Sequence, residues 1–208
     1  MDERMIERSV EDGRRHLDVN WFECGGNGAA VYHYVYHYSF ALHLNHMIFL
    51  HSYLFGVILA FAAAPLPRVF VEQFGAEFSA WMFPAAFSTA YLAYSMLLNG
   101  IVRGGSYGCV IASILSGAVY FRNETLEHLD GGMCALIAVG FILASFACQL
   151  IGHAIHEKFK ASPNLMHGFI AAPVLEWRML FYRLGCYEIE FRELHRRVEN
   201  VRCALDDM

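Results

Sequence analysis

The sequence predicts an all-α integral membrane protein, a helical bundle of about four transmembrane helices with one further re-entrant or interfacial helix. Hydrophobic residues make up 57% of the 208 residues and charged residues only 17%, whereas soluble domains average about 45–50% and about 25%. The apolar residues are concentrated in runs close to the roughly 20 residues that a helix needs to cross a bilayer. This excess and this clustering together favour a membrane protein over a water-soluble fold.

Four apolar runs are the candidate spans, namely 47–64, 78–98, 106–121 and 132–151. The second run contains Pro84, which helices in lipid tolerate better than soluble helices do. The third run is short and rich in small residues, which suit close helix packing. A fifth stretch, 165–184, is interrupted by Pro173, Glu176 and Arg178, and is therefore predicted to be re-entrant or interfacial.

The distribution of lysine and arginine predicts which side of the membrane the termini face. Four spans place both termini on one side. Four basic residues precede the first span, eight follow the last, and Arg103 lies in the loop on that side, whereas only Arg68 and Arg122 lie in the other loops. The positive-inside rule therefore predicts cytoplasmic termini. The predicted divisions are an N-terminal cytoplasmic segment 1–31, a membrane-embedded bundle 32–187 and a charged C-terminal helix 188–208.

Charge and cysteine spacing exclude several other classes of protein. The net charge is −5, and no basic stripe interleaved with aromatic residues occurs, so nucleic acid is not an expected partner. The six cysteines have no C-x-x-C spacing, which argues against a disulfide framework and a zinc ribbon.

Two groups of histidines are predicted to meet at one level of the membrane. The first span starts on the cytoplasmic side just after His37, His43 and His46. The fourth span returns to that side just before His153 and His156. Two segments more than 100 residues apart therefore deliver imidazoles to the same face. The alternative for each group is an interfacial position at the lipid headgroups.

These residue types are typical of a metal site. Helical spacing places His153, His156 and Glu157 on one arc of the fourth helix. Neutral imidazoles with an optional carboxylate and open positions describe a non-haem Fe(II) site, but zinc accepts the same ligands, and haem held by paired histidines also stays open. His51 lies deeper, where we expect a neutral histidine bonded to a neighbouring helix. The candidate metal ligands are His37, His46, His153, His156 and Glu157.

Three motifs carry a family resemblance. Tyr36-His37 followed by His46 resembles an opening Y-H…H element. Residues 149–158, QLIGHAIHEK, are similar to Q-x-[IV]-G-H-x-[IV]-x-E-K, and 171–176 resembles an A-P…E segment. Across about residues 32–187 the chain resembles the endoplasmic reticulum (ER) membrane 2-hydroxy fatty acid dioxygenases. That family was first described as a domain of unknown function and is linked to α-oxidation of the breakdown product of phytosphingosine.

The resemblance implies an enzyme and a set of ligands. It implies Fe(II) held by His37, His46 and His153, with Glu157 as a fourth ligand or as the acceptor that fixes the His153 tautomer. His156 has no counterpart in the motif. The implied reaction uses O₂ to cleave a 2-hydroxy fatty acid between C1 and C2, which yields an acid one carbon shorter.

The chain departs from the family pattern close to the first element. Leu42 stands where the family usually has asparagine, and Phe49–His51 stands where it often has Gly-x-Pro. These departures leave the ligand set intact and concern the shape of the lipid substrate.

Two other functions stay open. One is a non-catalytic membrane lipid-binding or scaffold protein whose histidines are interfacial residues. The other is a different metal-dependent lipid-modifying membrane enzyme. Among these, di-iron hydroxylases and desaturases generally need H-x-x-H-H boxes, which do not occur in this sequence.

Overall fold

The described part of the chain is almost entirely helical. The computed structural model describes residues 25–37, 39–64, 68–128, 131–156 and 167–206, and no strand occurs among them. One π-helical turn spans His167–Ala171. The α-helices are α1 Gly25–Tyr36, α2 Phe40–Ala63, α3 Arg68–Phe74, α4 Ala76–Asn99, α5 Ile101–His128, α6 Gly131–His156, α7 Ala172–Arg183 and α8 Glu188–Asp206.

Three of the described helices are long and apolar enough to cross a membrane. They are α2, the Ile101–Thr125 part of α5, and α6, and they confirm the predicted all-α membrane class. The predicted second span is observed as α4, a helix of 24 residues that continues through Pro84. Tyrosine, serine and threonine side chains dilute the apolar character of α4, so it does not join the three.

The helix α2 begins earlier than the predicted first span, at Phe40 instead of Met47. The backbone N–H of Leu42 donates a hydrogen bond of 3.0 Å to the Ser39 hydroxyl, which is the side-chain cap of a helix N-terminus. His43 and His46 therefore lie inside the helix and not before it, which corrects the predicted boundary.

The helix α5 also extends beyond the predicted third span at both ends, and it includes two arginines predicted to lie in loops. Arg103 Nε donates a hydrogen bond of 3.1 Å to the backbone oxygen of Asn99, at the end of α4. Arg122 Nε donates one of 3.1 Å to the oxygen of Ala62, near the end of α2. Each guanidinium thus satisfies a carbonyl that the end of a helix leaves without an intrahelical partner.

The described residues form two compact units. The first comprises residues up to Met47 and from Leu150 onward, and the second comprises Ile48–Gln149. The first unit contains α1, α7 and α8, and the second contains α3, α4 and α5. The predicted divisions at residues 31 and 187 stay predictions.

In the second unit, α4 and α5 form a tight helical hairpin. Gly100, the single residue between them, has a φ of 80°, a left-handed conformation that glycine adopts without steric cost. At Gly104 a Cβ atom would lie 2.5 Å from the Cα atom of Met96 and from the backbone oxygen of Ser95. The close approach of the two helices therefore requires glycine at this position.

In the first unit, α8 packs against α1 along a buried apolar stripe of Leu194, Val198 and Val201. These residues are four and three apart, so they share one face of the helix. The buried guanidinium of Arg178 in α7 holds Glu190 of α8, with 2.5 Å between Nη2 and Oε1. The helix α8 is thus exposed to solvent on one face and packed on the other.

The segment predicted to be re-entrant or interfacial forms the π-helical turn and α7. Most of α7 is buried, including Pro173, Leu175 and Glu176. Its position relative to a membrane stays a prediction, but its packing makes it part of the interior of the first unit.

Replacing Gly104 with alanine is expected to lower the free energy of unfolding by about 1–3 kcal/mol, because the added methyl group overlaps the backbone of α4. Gly105→Ala is the matched control, since its Cβ would meet the Met96 Cε atom at 3.4 Å, an ordinary contact. Thermal unfolding in detergent, followed by circular dichroism, measures both variants. Equal midpoints would contradict the close approach at Gly104.

Candidate metal centre

Three imidazole rings in the first unit surround a common point. The ring centroids of His37 and His46 are 4.7 Å apart, those of His37 and His153 4.8 Å, and those of His46 and His153 4.9 Å. One coordinating nitrogen from each ring lies within 4.8 Å of the other two. The three rings thus form a nearly equilateral triangle, built from three separate parts of the chain.

The turn between α1 and α2 positions the first two corners of this triangle. His37 directly follows α1, and its backbone N–H donates to the oxygen of His33 at 3.1 Å. Ser39 then caps α2, whose buried stripe of Leu42, His46 and Leu50 has helical spacing. Because the turn is so short, His37 lies beside His46 although nine positions separate them in sequence.

A glycine allows the third corner to approach. At Gly152 a Cβ atom would lie 2.8 Å from the Cγ and Oδ1 atoms of Asn45. The residue before His153 thus lies directly against the residue before His46. Any side chain larger than hydrogen at position 152 would displace the Asn45 carboxamide.

The ring nitrogens of these three histidines are suited to binding a cation. Burial lowers the pKa of His37 well below its ordinary value, and the neighbouring imidazoles lower it further, so the ring is neutral and offers a lone pair. His46 Nδ1 is buried and has no hydrogen-bond partner within the described residues, and a cation bound there would remove the cost of that burial. Two nitrogens about 2.1 Å from one ion lie about 3–3.5 Å apart, so small side-chain rotations bring all three to a single ion. The triangle could therefore hold a metal ion.

A buried glutamate supports the triangle from outside. His33 Nε2 donates a hydrogen bond of 2.9 Å to Glu176 Oε1, and His43 Nδ1 donates one of 2.9 Å to Oε2. The ring of His33 stacks on that of His37, with centroids 4.1 Å apart. Glu176 therefore fixes the surface against which His37 lies.

The protonation states of this network are set by burial and by its internal contacts. Burial alone would raise the pKa of Glu176, but attraction to His43 and hydrogen bonds from His33 and His43 lower it below its ordinary value. Burial lowers the pKa of His33 more than its hydrogen bond to Glu176 raises it. Glu176 is accordingly a carboxylate that accepts from both rings.

The structure brings together three of the five predicted ligands. His37, His46 and His153 form the triangle, and His156 lies outside that group of three. Glu157 lies outside the described residues. His51 is bonded through Nε2 to the Tyr107 hydroxyl of α5, at 3.0 Å, which is the neighbouring-helix partner that the sequence predicts.

The role of Glu176 is the part of the site that sequence reasoning missed. The sequence singles out Glu176 only as an interruption of the stretch 165–184 and as part of the A-P…E segment, and His43 only as one of the histidines before the first span. The sequence did contain a signal for this role, because a glutamate in an otherwise apolar stretch needs a buried hydrogen-bond partner.

Comparison with known protein families, with curated proteins and with solved structures finds no match to this chain. Function is therefore inferred from the residues of the site and from the three sequence motifs.

Replacing Gly152 with alanine is expected to weaken metal binding about tenfold, because displacement of the Asn45 side chain alters the spacing of His46 and His153. Gly140→Ala on the same helix is the matched control, since its Cβ would meet no described atom within 4 Å. Competition of Co²⁺ against a chelator in detergent-purified protein measures both affinities. Equal affinity in the two variants would contradict the proposed role of Gly152.

Replacing Glu176 with glutamine is expected to lower the free energy of unfolding by about 3 kcal/mol, because the amide nitrogen cannot accept the imidazole N–H that one of the two carboxylate oxygens accepts. Glu193→Gln on the exposed face of α8, where the glutamate pairs with Arg196, is expected to change stability little. Thermal unfolding in detergent measures both. A Glu176→Gln protein as stable as the control would show that the network is dispensable.

Proposed function

We propose that this protein is an Fe(II)-dependent dioxygenase that cleaves 2-hydroxy fatty acids to acids one carbon shorter. The observation that carries the proposal is the triangle of His37, His46 and His153, in a chain with helices that could cross a membrane. Imidazole ligands with open positions are typical of non-haem iron enzymes that use O₂. The motifs that contain these three histidines resemble those of a family with this activity.

The residues of the site would bind the ion and leave one side of it accessible. His37 and His46 are buried, and His153 is the least buried of the three, so O₂ would approach on the His153 side. Glu157 is proposed as a fourth ligand or as the acceptor for the His153 ring. Bound Fe(II) supplies the activation of O₂, which amino-acid side chains do not provide.

A lipid substrate would explain why an enzyme that acts on small molecules is a membrane protein. We assign the enzyme to the ER membrane with cytoplasmic termini, on the basis of the motifs and of the bias in lysine and arginine. The reaction balances when RCH(OH)COOH and one O₂ give RCOOH, CO₂ and water. The shortened acid and CO₂ should therefore form in equal amounts.

A zinc-dependent lipid-modifying enzyme is the second candidate. Catalytic zinc is commonly held by three protein ligands with the fourth position open to water, and the triangle of imidazoles is such a set. Metal analysis distinguishes the candidates, since one predicts iron and the other zinc. A non-catalytic lipid-binding or scaffold protein would contain neither metal in stoichiometric amount.

Replacing His153 with alanine is expected to remove bound iron and to lower turnover of 2-hydroxypalmitate at least about 100-fold, because a triangle corner is lost. His156→Ala is the matched control on the same helix, and it is expected to keep its iron. Metal analysis after anaerobic loading and mass spectrometry of the C15 acid measure both variants. Full turnover by the His153→Ala protein would refute the site.

A further inference from the structure

A cavity of about 340 Å³ lies beside the triangle, within the first unit. It is bordered by α1, α2, α7 and α8, and both His37 and His43 line it. Its volume falls at the lower end of the range of about 300–1,000 Å³ for small-molecule sites. The cavity therefore has room for the reactive end of a ligand, and a long chain would have to continue out of it.

Much of the cavity surface is apolar. Met179 of α7 and three residues of α8 contribute to it, namely Phe191, Leu194 and Val198. Leu194 and Val198 belong to the same stripe that packs α8 against α1. The C-terminal helix is thus both a packing element and a wall of the cavity.

The polar part of the cavity carries an uncompensated positive charge. Arg202 lines the cavity with Glu199, and the two side chains pair over 3.0 Å between Nη1 and Oε1. Arg183 also lines it, and no carboxylate in the described part of the chain pairs with Arg183. Its guanidinium lies instead over the ring of Phe40, with the Cζ atom 5.6 Å from the ring centroid. A cation at the edge of an apolar cavity is complementary to an amphipathic anion.

The alternative for Arg183 is a purely structural role. It occupies the last position of α7, where a cation interacts favourably with the helix dipole. That role accounts for the charge but not for its position on the wall of a cavity that reaches a corner of the triangle. The two roles differ in whether the charge affects ligand binding.

We propose that this cavity is the headgroup site for a fatty carboxylate, in which the Arg183 guanidinium binds the carboxylate and Met179, Leu194 and Val198 contact the adjoining methylene groups. The inference rests on the proposed function, because it names the part of the molecule that would present a 2-hydroxy acid to the triangle. It assigns the C-terminal helix to substrate binding.

The test compares ligands that differ in one feature at a time. Isothermal titration calorimetry of detergent-purified, Zn²⁺-loaded protein measures the binding of 2-hydroxypalmitate, of uncharged hexadecane-1,2-diol and of glycolate, which lacks the chain. Wild-type protein is expected to bind 2-hydroxypalmitate more tightly than either of the others. In Arg183→Gln, affinity for 2-hydroxypalmitate is expected to fall about tenfold or more, with affinity for the diol unchanged.

Two further variants separate charge from structure. Arg183→Lys keeps the charge and is expected to retain most of the affinity for 2-hydroxypalmitate. Arg192→Gln removes an exposed arginine of α8 that pairs with Glu188, and it is expected to bind all three ligands as wild type does. Unchanged binding of 2-hydroxypalmitate by Arg183→Gln would overturn the proposal, and so would equal losses of acid and diol.

The outcomes also separate this inference from the proposed reaction. Arg183-dependent binding without turnover or iron would leave the headgroup site standing and remove the dioxygenase. Turnover of 2-hydroxypalmitate with an unchanged KM in Arg183→Gln would keep the dioxygenase and remove the headgroup site.

Discussion

One buried negative charge organises the first unit, the carboxylate of Glu176. Its two oxygens accept hydrogen bonds from His33 of α1 and His43 of α2, so a single side chain of α7 joins two other helices. A carboxylate at this depth is stable only with such partners. Since His33 in turn stacks on His37, the geometry of the triangle depends on a residue that is not part of it.

Burial of the imidazole rings favours the protonation state that binds metals. Removing an imidazole from water disfavours its charged form, and a neutral imidazole is the form that binds metals. The surroundings that keep His37 neutral also leave His46 Nδ1 without a hydrogen-bond partner among the described residues. An ion would therefore relieve a cost that the packing of the helices creates, and the same packing leaves His153 as the accessible corner.

Composition and the length of the apolar runs predict the fold class, because the charged residues are too few to form the surface of a water-soluble protein with so many apolar residues. They predict helix ends less well, since hydropathy marks only the apolar part of a helix, whereas the backbone of α2 extends to the cap at Ser39. The four predicted spans bring the two groups of histidines to one side of the membrane, and the structure places His37, His46 and His153 together. The contacts of Glu176 could not be predicted in this way, because they depend on how side chains of three helices pack, and the same holds for the apolar face of α8.

The wide separation of the corners along the chain has a consequence for how the protein is made. His37 and His46 leave the ribosome early, whereas His153 follows more than 100 residues later, a delay on the order of ten seconds at about 5–20 residues per second. During that interval the nascent chain offers only two of the three nitrogens. The complete set of three could therefore capture an ion only after α6 has been synthesised.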